Sequence, residues 1–77
     1  MITGSQVRAA KALLRWSGDD LAKKAGIAIS TIRRIEAENG VLATANIKTI
    51  DAVQKALEQG GVEFIGTSDH QPGVRLK

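Results

Sequence analysis

Two short helix-forming segments that meet at Gly26 are the feature that most limits how this chain can fold. The first segment has an apolar face that includes Leu21 and Ala22, and Gly26 ends the segment as a helix stop signal. The second begins almost at once and carries Ile32 and Ile35 at helical spacing. Ala22 is small enough for a neighbouring helix to pass close to it, and Gly26 supplies the positive φ of a sharp turn. The pattern therefore predicts two helices crossing at about 90–120° over a tight turn.

Length and composition limit the classes of protein that this chain can belong to. The chain has 77 residues, which is enough for one domain, with 11 Lys and Arg against 8 Asp and Glu. The resulting net charge of +3 permits a polyanionic partner without requiring one. The absence of Cys excludes disulfides, thiolate metal sites and a cysteine nucleophile. The chain has one His and no Tyr, so few of the side chains that commonly act in catalysis are present, and the protein is not expected to be an enzyme.

Three further expectations concern metal ions, cofactors and location. His70 has only Asp69 as an obvious neighbour, whereas a zinc site needs three or four ligands, so neither a metal nor a cofactor is expected. No apolar run is long enough to span a membrane, and the N-terminus lacks the pattern of a signal peptide. The expected location is the cytoplasm, with no membrane partner.

Helical spacing of apolar residues predicts four helices, with a polar N-cap before three of them. The predicted caps are Ser5, Ser17 and Asn46. Residues 40–45 are predicted to form a loop, since Asn39-Gly40 is a strong stop signal. The approximate bounds of the helices are 5–16, 17–25, 28–38 and 46–59.

The C-terminal residues change character. Residues 62–65 and 74–76 alternate in the manner of short strands, and the intervening segment contains Gly and Pro, so a β-hairpin is predicted. Two strands alone are marginal in water. The hairpin is therefore expected to pack on the helices, pair with another chain or be partly disordered. The expected division is residues 1–59 for the helices and 60–77 for the hairpin.

Residues 16–36 resemble the helix-turn-helix of the Cro/C1 repressor family, also called XRE-type regulators. The match lies in Trp16-Ser17, Leu21-Ala22, Ala25-Gly26, Ser30-Thr31-Ile32 and Ile35-Glu36. The resemblance covers approximately residues 5–59. It implies a mainly α fold, namely a four-helix, lambda repressor-like bundle followed here by a short C-terminal β-hairpin. It also implies a sequence-specific DNA-binding transcriptional regulator of a bacterium or phage, with repression as its expected role.

The resemblance implies two sets of DNA contacts. The third helix, as the recognition helix, would enter the major groove with its outer residues against base edges. Phosphates would meet the starts of the second and fourth helices and the loop after the third. The implied base contacts are Ala28, Ile29, Ser30, Arg33 and Arg34, and the implied phosphate contacts are Ser17, Gly18, Thr31, Asn39, Asn46 and Lys48.

Other positions follow from the same alignment. Lys11 and Glu36 lie where family members place an ion pair that joins the first and third helices. Gly18, Ala28 and Ile29 stand where the family commonly has polar residues that meet DNA. Two interpretations follow: the protein reads DNA shape, phosphates and a T-rich site, or this surface binds a protein.

The expected DNA-binding unit is a homodimer on a palindromic operator, with recognition helices about 34–36 Å apart. The dimer contact is predicted at the hairpin, through Val62, Phe64 and Ile65, because a strand edge can pair with a second copy. The alternative function is a protein-interaction module on the same scaffold, such as an antitoxin or an anti-activator.

Overall fold

The computed structural model describes residues 2–38, 46–67 and 70–77, with only the backbone of Thr67. Within these ranges the chain is mostly helical, with one two-stranded antiparallel sheet. The predicted mainly α bundle with a C-terminal hairpin is confirmed at this level. Asn39 and the predicted loop at 40–45 lie outside the described residues. The elements are α1 (Gly4–Leu14), α2 (Gly18–Ala25), α3 (Ile29–Ala37), α4 (Ile47–Gly60), β1 (Val62–Thr67) and β2 (His70–Leu76).

The first helix begins earlier than predicted, and Ser5 is not its N-cap. Thr3 is the N-cap, because Gln6 lies three residues later and completes a capping box with it. The Gln6 backbone N–H donates to Thr3 Oγ1 at 3.1 Å, and the Thr3 backbone N–H donates to Gln6 Oε1 at 2.8 Å. The helix ends at Arg15, which adopts the left-handed conformation, so Trp16 lies beyond it. The prediction missed a Thr-x-x-Gln signal two residues upstream of Ser5.

The predicted tight turn between α2 and α3 is confirmed. Ser17 caps α2, and Gly26 ends it with φ at 69°, a conformation that costs glycine little. Leu21 and Ile32 are completely buried. The tight turn therefore arises from the residues that the sequence indicated.

The fourth helix begins as predicted. Asn46 is its N-cap, with Oδ1 accepting a hydrogen bond from the Thr49 backbone N–H at 2.8 Å. The helix ends at Gly61, which has a φ of 116° and terminates it in the manner typical of glycine. Ile50, Val53 and Leu57 face the core, so α4 contributes one continuous apolar stripe.

The hairpin packs on the helices of its own chain. Val62 is completely buried within the same core as the helices, while Phe64 and Val74 pack against it half-buried. The Val62 side chain is already enclosed by its own chain, so the predicted contact of Val62 with a second copy could use only its strand edge. The core consists of Ile2, Val7, Ala10, Leu21, Ala22, Ile32, Ile35, Ile50, Val53, Ala56, Leu57 and Val62.

The strands are longer than predicted, and a hydrogen-bonded side chain attaches them to α1. Phe64 pairs with Val74 and Ile65 with Gly73, and an irregularity follows between Ile65 and Thr67. Gln6 Nε2 donates to the carbonyl oxygens of Ile65 at 3.3 Å and Gly73 at 2.9 Å. One buried amide therefore holds both strands against the first helix.

No helix in the described part of the chain is long and apolar enough to cross a membrane.

Candidate nucleic-acid interface

The outer face of α3 presents two exposed cationic side chains. Ser30, Arg33, Arg34 and Ala37 are all exposed and recur at the spacing of one helical face. Neither guanidinium makes a hydrogen bond or ion pair with the residues that the structure describes. The opposite face is fixed by Ile32 and Ile35 in the core. Two free cations therefore project from a helix whose position is set from behind.

Ile29 does not lie fully on this outer face. Its side chain is half-buried and packs against the core. A Cβ atom placed on Gly18 would lie 3.3 Å from Ile29 Cδ1 and 3.5 Å from Glu36 Oε2. The start of α2 thus approaches α3 closely on this side. The base contact of Ile29 stays a prediction, which only the exposed part of its side chain could make.

The remaining predicted contacts on α3 differ in exposure. Ala28 is exposed at the N-cap position and makes no side-chain cap hydrogen bond, which leaves the first backbone N–H groups of the helix without that partner. Thr31 is half-buried. Ala28 and Ser30 are therefore accessible to a ligand, whereas the Thr31 side chain is only partly accessible.

The start of α2 is less suited to a phosphate than predicted. The Ser17 backbone N–H donates to Asp20 Oδ2 at 2.9 Å, and Ser17 Oγ accepts from the Asp20 backbone N–H at 3.1 Å. The hydrogen bond from the Ser17 backbone N–H, together with the nearby Ser17 hydroxyl, lowers the pKa of the Asp20 carboxyl, which keeps it charged. Asp19 is exposed beside it. Because two carboxylates occupy this position, Ser17 and Gly18 do not form an attractive phosphate site.

The start of α4 retains the features expected of a phosphate site. Asn46 and Lys48 are both exposed, and no ion pair of Lys48 is found among the described residues. Unlike α2, this helix has no acidic residue in its first turn, and a helix N-terminus favours anions. Ile47 lies between these two residues and is 67% exposed.

The predicted ion pair between α1 and α3 is present. Lys11 Nζ contacts Glu36 Oε1, and both side chains are mostly buried. Arg8 adds a second link that the sequence did not reveal, because its Nη1 donates to the Glu36 carbonyl oxygen. Asp19 and Asp20 are adjacent in the sequence, and this pair of carboxylates is the signal that could have excluded a phosphate contact at Ser17 and Gly18.

The apolar residues left exposed on the hairpin are few. Ile65 is 40% exposed and Leu76 is 54% exposed, whereas Phe64 is half-buried against the core of its own chain. Of the predicted dimer residues, Ile65 and part of Phe64 are therefore exposed to a second copy. Leu76 is a further exposed apolar residue that the sequence analysis did not identify.

Comparison with known proteins adds no family assignment. No protein-family model matches the chain, and no curated protein matches it significantly. Within the described ranges, no group of three or more His, Asp or Glu residues is arranged to hold a metal ion.

Proposed function

We propose that this protein is a sequence-specific DNA-binding regulator that contacts base edges with the outer face of α3 and acts as a repressor, the role that its family resemblance implies. The observation that carries the proposal is the pair of exposed guanidinium groups, Arg33 and Arg34, without partners among the described residues. An Arg side chain can bond guanine O6 and N7 simultaneously. Ser30, exposed on the same face, can bond either kind of base.

The support behind this helix suits recognition of bases. Ile32 and Ile35 hold α3 in the core, and the Lys11–Glu36 ion pair joins it to α1. Base discrimination requires side chains on a rigid element, because a loosely held group loses directional hydrogen bonds. The buried contacts of α3 therefore hold its exposed side chains in a fixed position.

Phosphate binding is assigned to the start of α4. Its first backbone N–H groups and the exposed Lys48 are free of nearby acidic residues on the same turn. Such a cation releases counterions from the duplex when it binds. Ser17 and Gly18 are left out of the proposed interface, because Asp19 and Asp20 stand beside them.

The proposed binding unit is a homodimer on a palindromic site, so that two α3 helices enter successive major grooves. The hairpin is the proposed dimer element, through Ile65, Phe64 and the exposed Leu76. Light scattering at micromolar concentration is expected to give the mass of two chains. The mass of one chain would contradict the dimer.

Arg34→Ala tests the proposed function. Duplexes are first selected from a random pool with the wild-type protein, and affinity is then measured for the selected site and its single-base variants. We expect the variant to lose about 1–3 kcal/mol of binding free energy and its preference at one base position. The physical reason is the loss of a bidentate contact with a base.

The matched control is Lys55→Ala, which removes one positive charge from an exposed position on α4. It should weaken binding slightly and leave the preferred sequence unchanged. If wild-type protein binds no duplex at low salt, where phosphate contacts are strongest, the proposed function is wrong. Equal effects of the two substitutions on all base positions would contradict base reading by Arg34.

A second candidate function is a protein-interaction module, such as an antitoxin or an anti-activator. Ile47 is 67% exposed at the start of α4, and an exposed large apolar side chain is more useful against a protein than against phosphates. Asp19 and Asp20 would attract a basic partner from the neighbouring α2. Ile47 would meet apolar groups of such a partner, and Asp19 and Asp20 would meet its basic groups.

Asp19→Asn separates the two functions. Asp19 is exposed in the first turn of α2 and lies outside the Ser17–Asp20 capping box. If the surface binds DNA, removing this charge should raise the affinity about two- to fivefold at low salt, and the gain should diminish as salt screens it. Glu58→Gln, in the last turns of α4, is the control and should change affinity little. Unchanged or reduced DNA affinity for Asp19→Asn would favour the protein partner.

A further inference from the structure

Gln6 lies at the junction between the first helix and the hairpin. It is 4% exposed, and its side-chain amide uses both ends. Oε1 accepts from the Thr3 backbone N–H at 2.8 Å, while Nε2 donates to the carbonyl oxygens of Ile65 and Gly73. The same side chain therefore fixes the N-cap of α1 and holds both strands of the hairpin.

The first turn of α1 also contacts the C-terminal end of α3. A Cβ atom on Gly4 would lie 1.8 Å from the Glu38 carbonyl oxygen and 2.6 Å from that of Ile35. One turn further along α1, Arg8 donates to the Glu36 carbonyl oxygen. The turn that Gln6 ties to the hairpin is thus the turn against which α3 ends.

We propose that Gln6 is a positioning residue through which the hairpin sets the placement of the C-terminal end of α3. The contacts form a continuous path from the strand carbonyls through Gln6 and Thr3 to Gly4, and from there to the last turn of α3. Gln6 itself makes no hydrogen bond with α3 in the described residues. An event that displaces the hairpin therefore also displaces the helix that carries Arg33 and Arg34. The effect of this displacement on DNA rests on the proposed function, whereas the mechanical coupling does not.

The test compares Gln6→Leu with Gln54→Leu in the full chain. Gln54 is a half-buried residue of α4, and among the described residues its amide hydrogen-bonds only with Glu58, at 3.4 Å. Its substitution therefore makes the same chemical change away from the junction. Amide resonances are recorded by two-dimensional NMR. For Gln6→Leu we expect changes at residues 65 and 73 and also at residues 36–38, whereas Gln54→Leu should leave both segments unchanged. Changes confined to the hairpin and α1 would overturn the proposal.

DNA binding supplies a readout that a merely structural role would not move. The folded Gln6→Leu protein should bind the wild-type protein's selected duplex about three- to tenfold more weakly. The dependence on salt should be unchanged, because no phosphate contact is removed. If the affinity equals that of wild type and the α3 resonances do not shift, Gln6 stabilises the fold without positioning α3, and the proposal is wrong. If wild-type protein binds no duplex, the proposed function fails and the NMR comparison alone decides the coupling.

Hydrogen exchange in the wild-type protein decides the coupling even if Gln6→Leu does not fold. Amides of the hairpin and of the last turn of α3 should exchange with the same opening free energy, as parts of one cooperative unit. If the hairpin opens at a clearly lower free energy while the end of α3 keeps its protection, the two elements are independent and the proposal is overturned.

Discussion

Replacing Gly4 with Ala is expected to destabilise the protein by about 3 kcal/mol, although helix propensity alone predicts the opposite sign. Ala is favoured over Gly in helices by up to about 1 kcal/mol, and Gly4 does not adopt a positive φ. The new methyl group would lie 1.8 Å from the Glu38 carbonyl oxygen. Since that atom belongs to the backbone, α1 and α3 must move apart, and overpacking of this kind costs about 1–3 kcal/mol or more.

Thermal and urea unfolding measure this effect. In a domain of this size, a loss of 3 kcal/mol corresponds to a fall in the melting temperature of about 12–24 °C. The total stability expected from 77 residues is only about 4–11 kcal/mol. The variant should therefore be partly unfolded at 37 °C if the wild-type protein lies at the lower end of this range.

Gly18→Ala is the matched control, because Gly18 is also the first residue of a helix. Its nearest neighbour would be Ile29 Cδ1 at 3.3 Å, the movable end of a side chain. We expect a change within about 0.5 kcal/mol in either direction. If Gly4→Ala were as mild as Gly18→Ala, the close approach between α1 and the end of α3 would be wrong.

The helix-turn-helix could be predicted from sequence because local rules determine it. Gly26 stops α2, Ser17 caps it, and the spacing of Ile32 and Ile35 defines the inner face of α3. Each signal lies within a few residues of the structure that it predicts. The Lys11–Glu36 ion pair was also predicted, although it joins distant segments, because the family resemblance supplied the pairing.

The links between distant segments could not be predicted in this way. From the sequence, Gln6 is an ordinary polar residue near a helix start. In the fold its side-chain amide donates hydrogen bonds to carbonyl groups 59 and 67 residues away in sequence. The sequence predicts that Ile29 lies on the outer face of α3, whereas in the fold its side chain packs partly against the core and lies close to Gly18. These features depend on how elements meet, and periodicity carries no information about that.

Gln6→Glu should cause the second large effect, a loss of about 3–5 kcal/mol at neutral pH. The substitution keeps an oxygen for the Thr3 backbone N–H but replaces the Nε2 donor with an oxygen facing the carbonyls of Ile65 and Gly73. The site is 4% exposed, so water cannot solvate the new charge. A buried, uncompensated charge typically costs this amount.

The loss should depend on pH in a direction that identifies its cause. Burial and the facing carbonyl oxygens raise the pKa of the introduced carboxyl above the value of about 4.3 in unfolded chains. Its folded form therefore binds a proton more tightly than its unfolded form, and the destabilisation relative to wild type should grow as pH rises through the folded pKa. Below the unfolded pKa the neutral acid can donate to one strand carbonyl, and the two proteins should become more alike.

Urea unfolding of both proteins between about pH 4 and pH 7.5 measures this difference. Gln59→Glu, at an exposed position in the last turn of α4, introduces the same charge without burial. Its effect should stay within about 0.5 kcal/mol at every pH, because water solvates both forms of the side chain. A Gln6→Glu penalty that does not change with pH would show that packing, and not the introduced charge, is responsible. The native carboxylates are present in both proteins, so only the difference between their unfolding free energies reports on the introduced group. An increase of this difference with pH would show that the introduced charge lies buried at the junction of α1 and the hairpin.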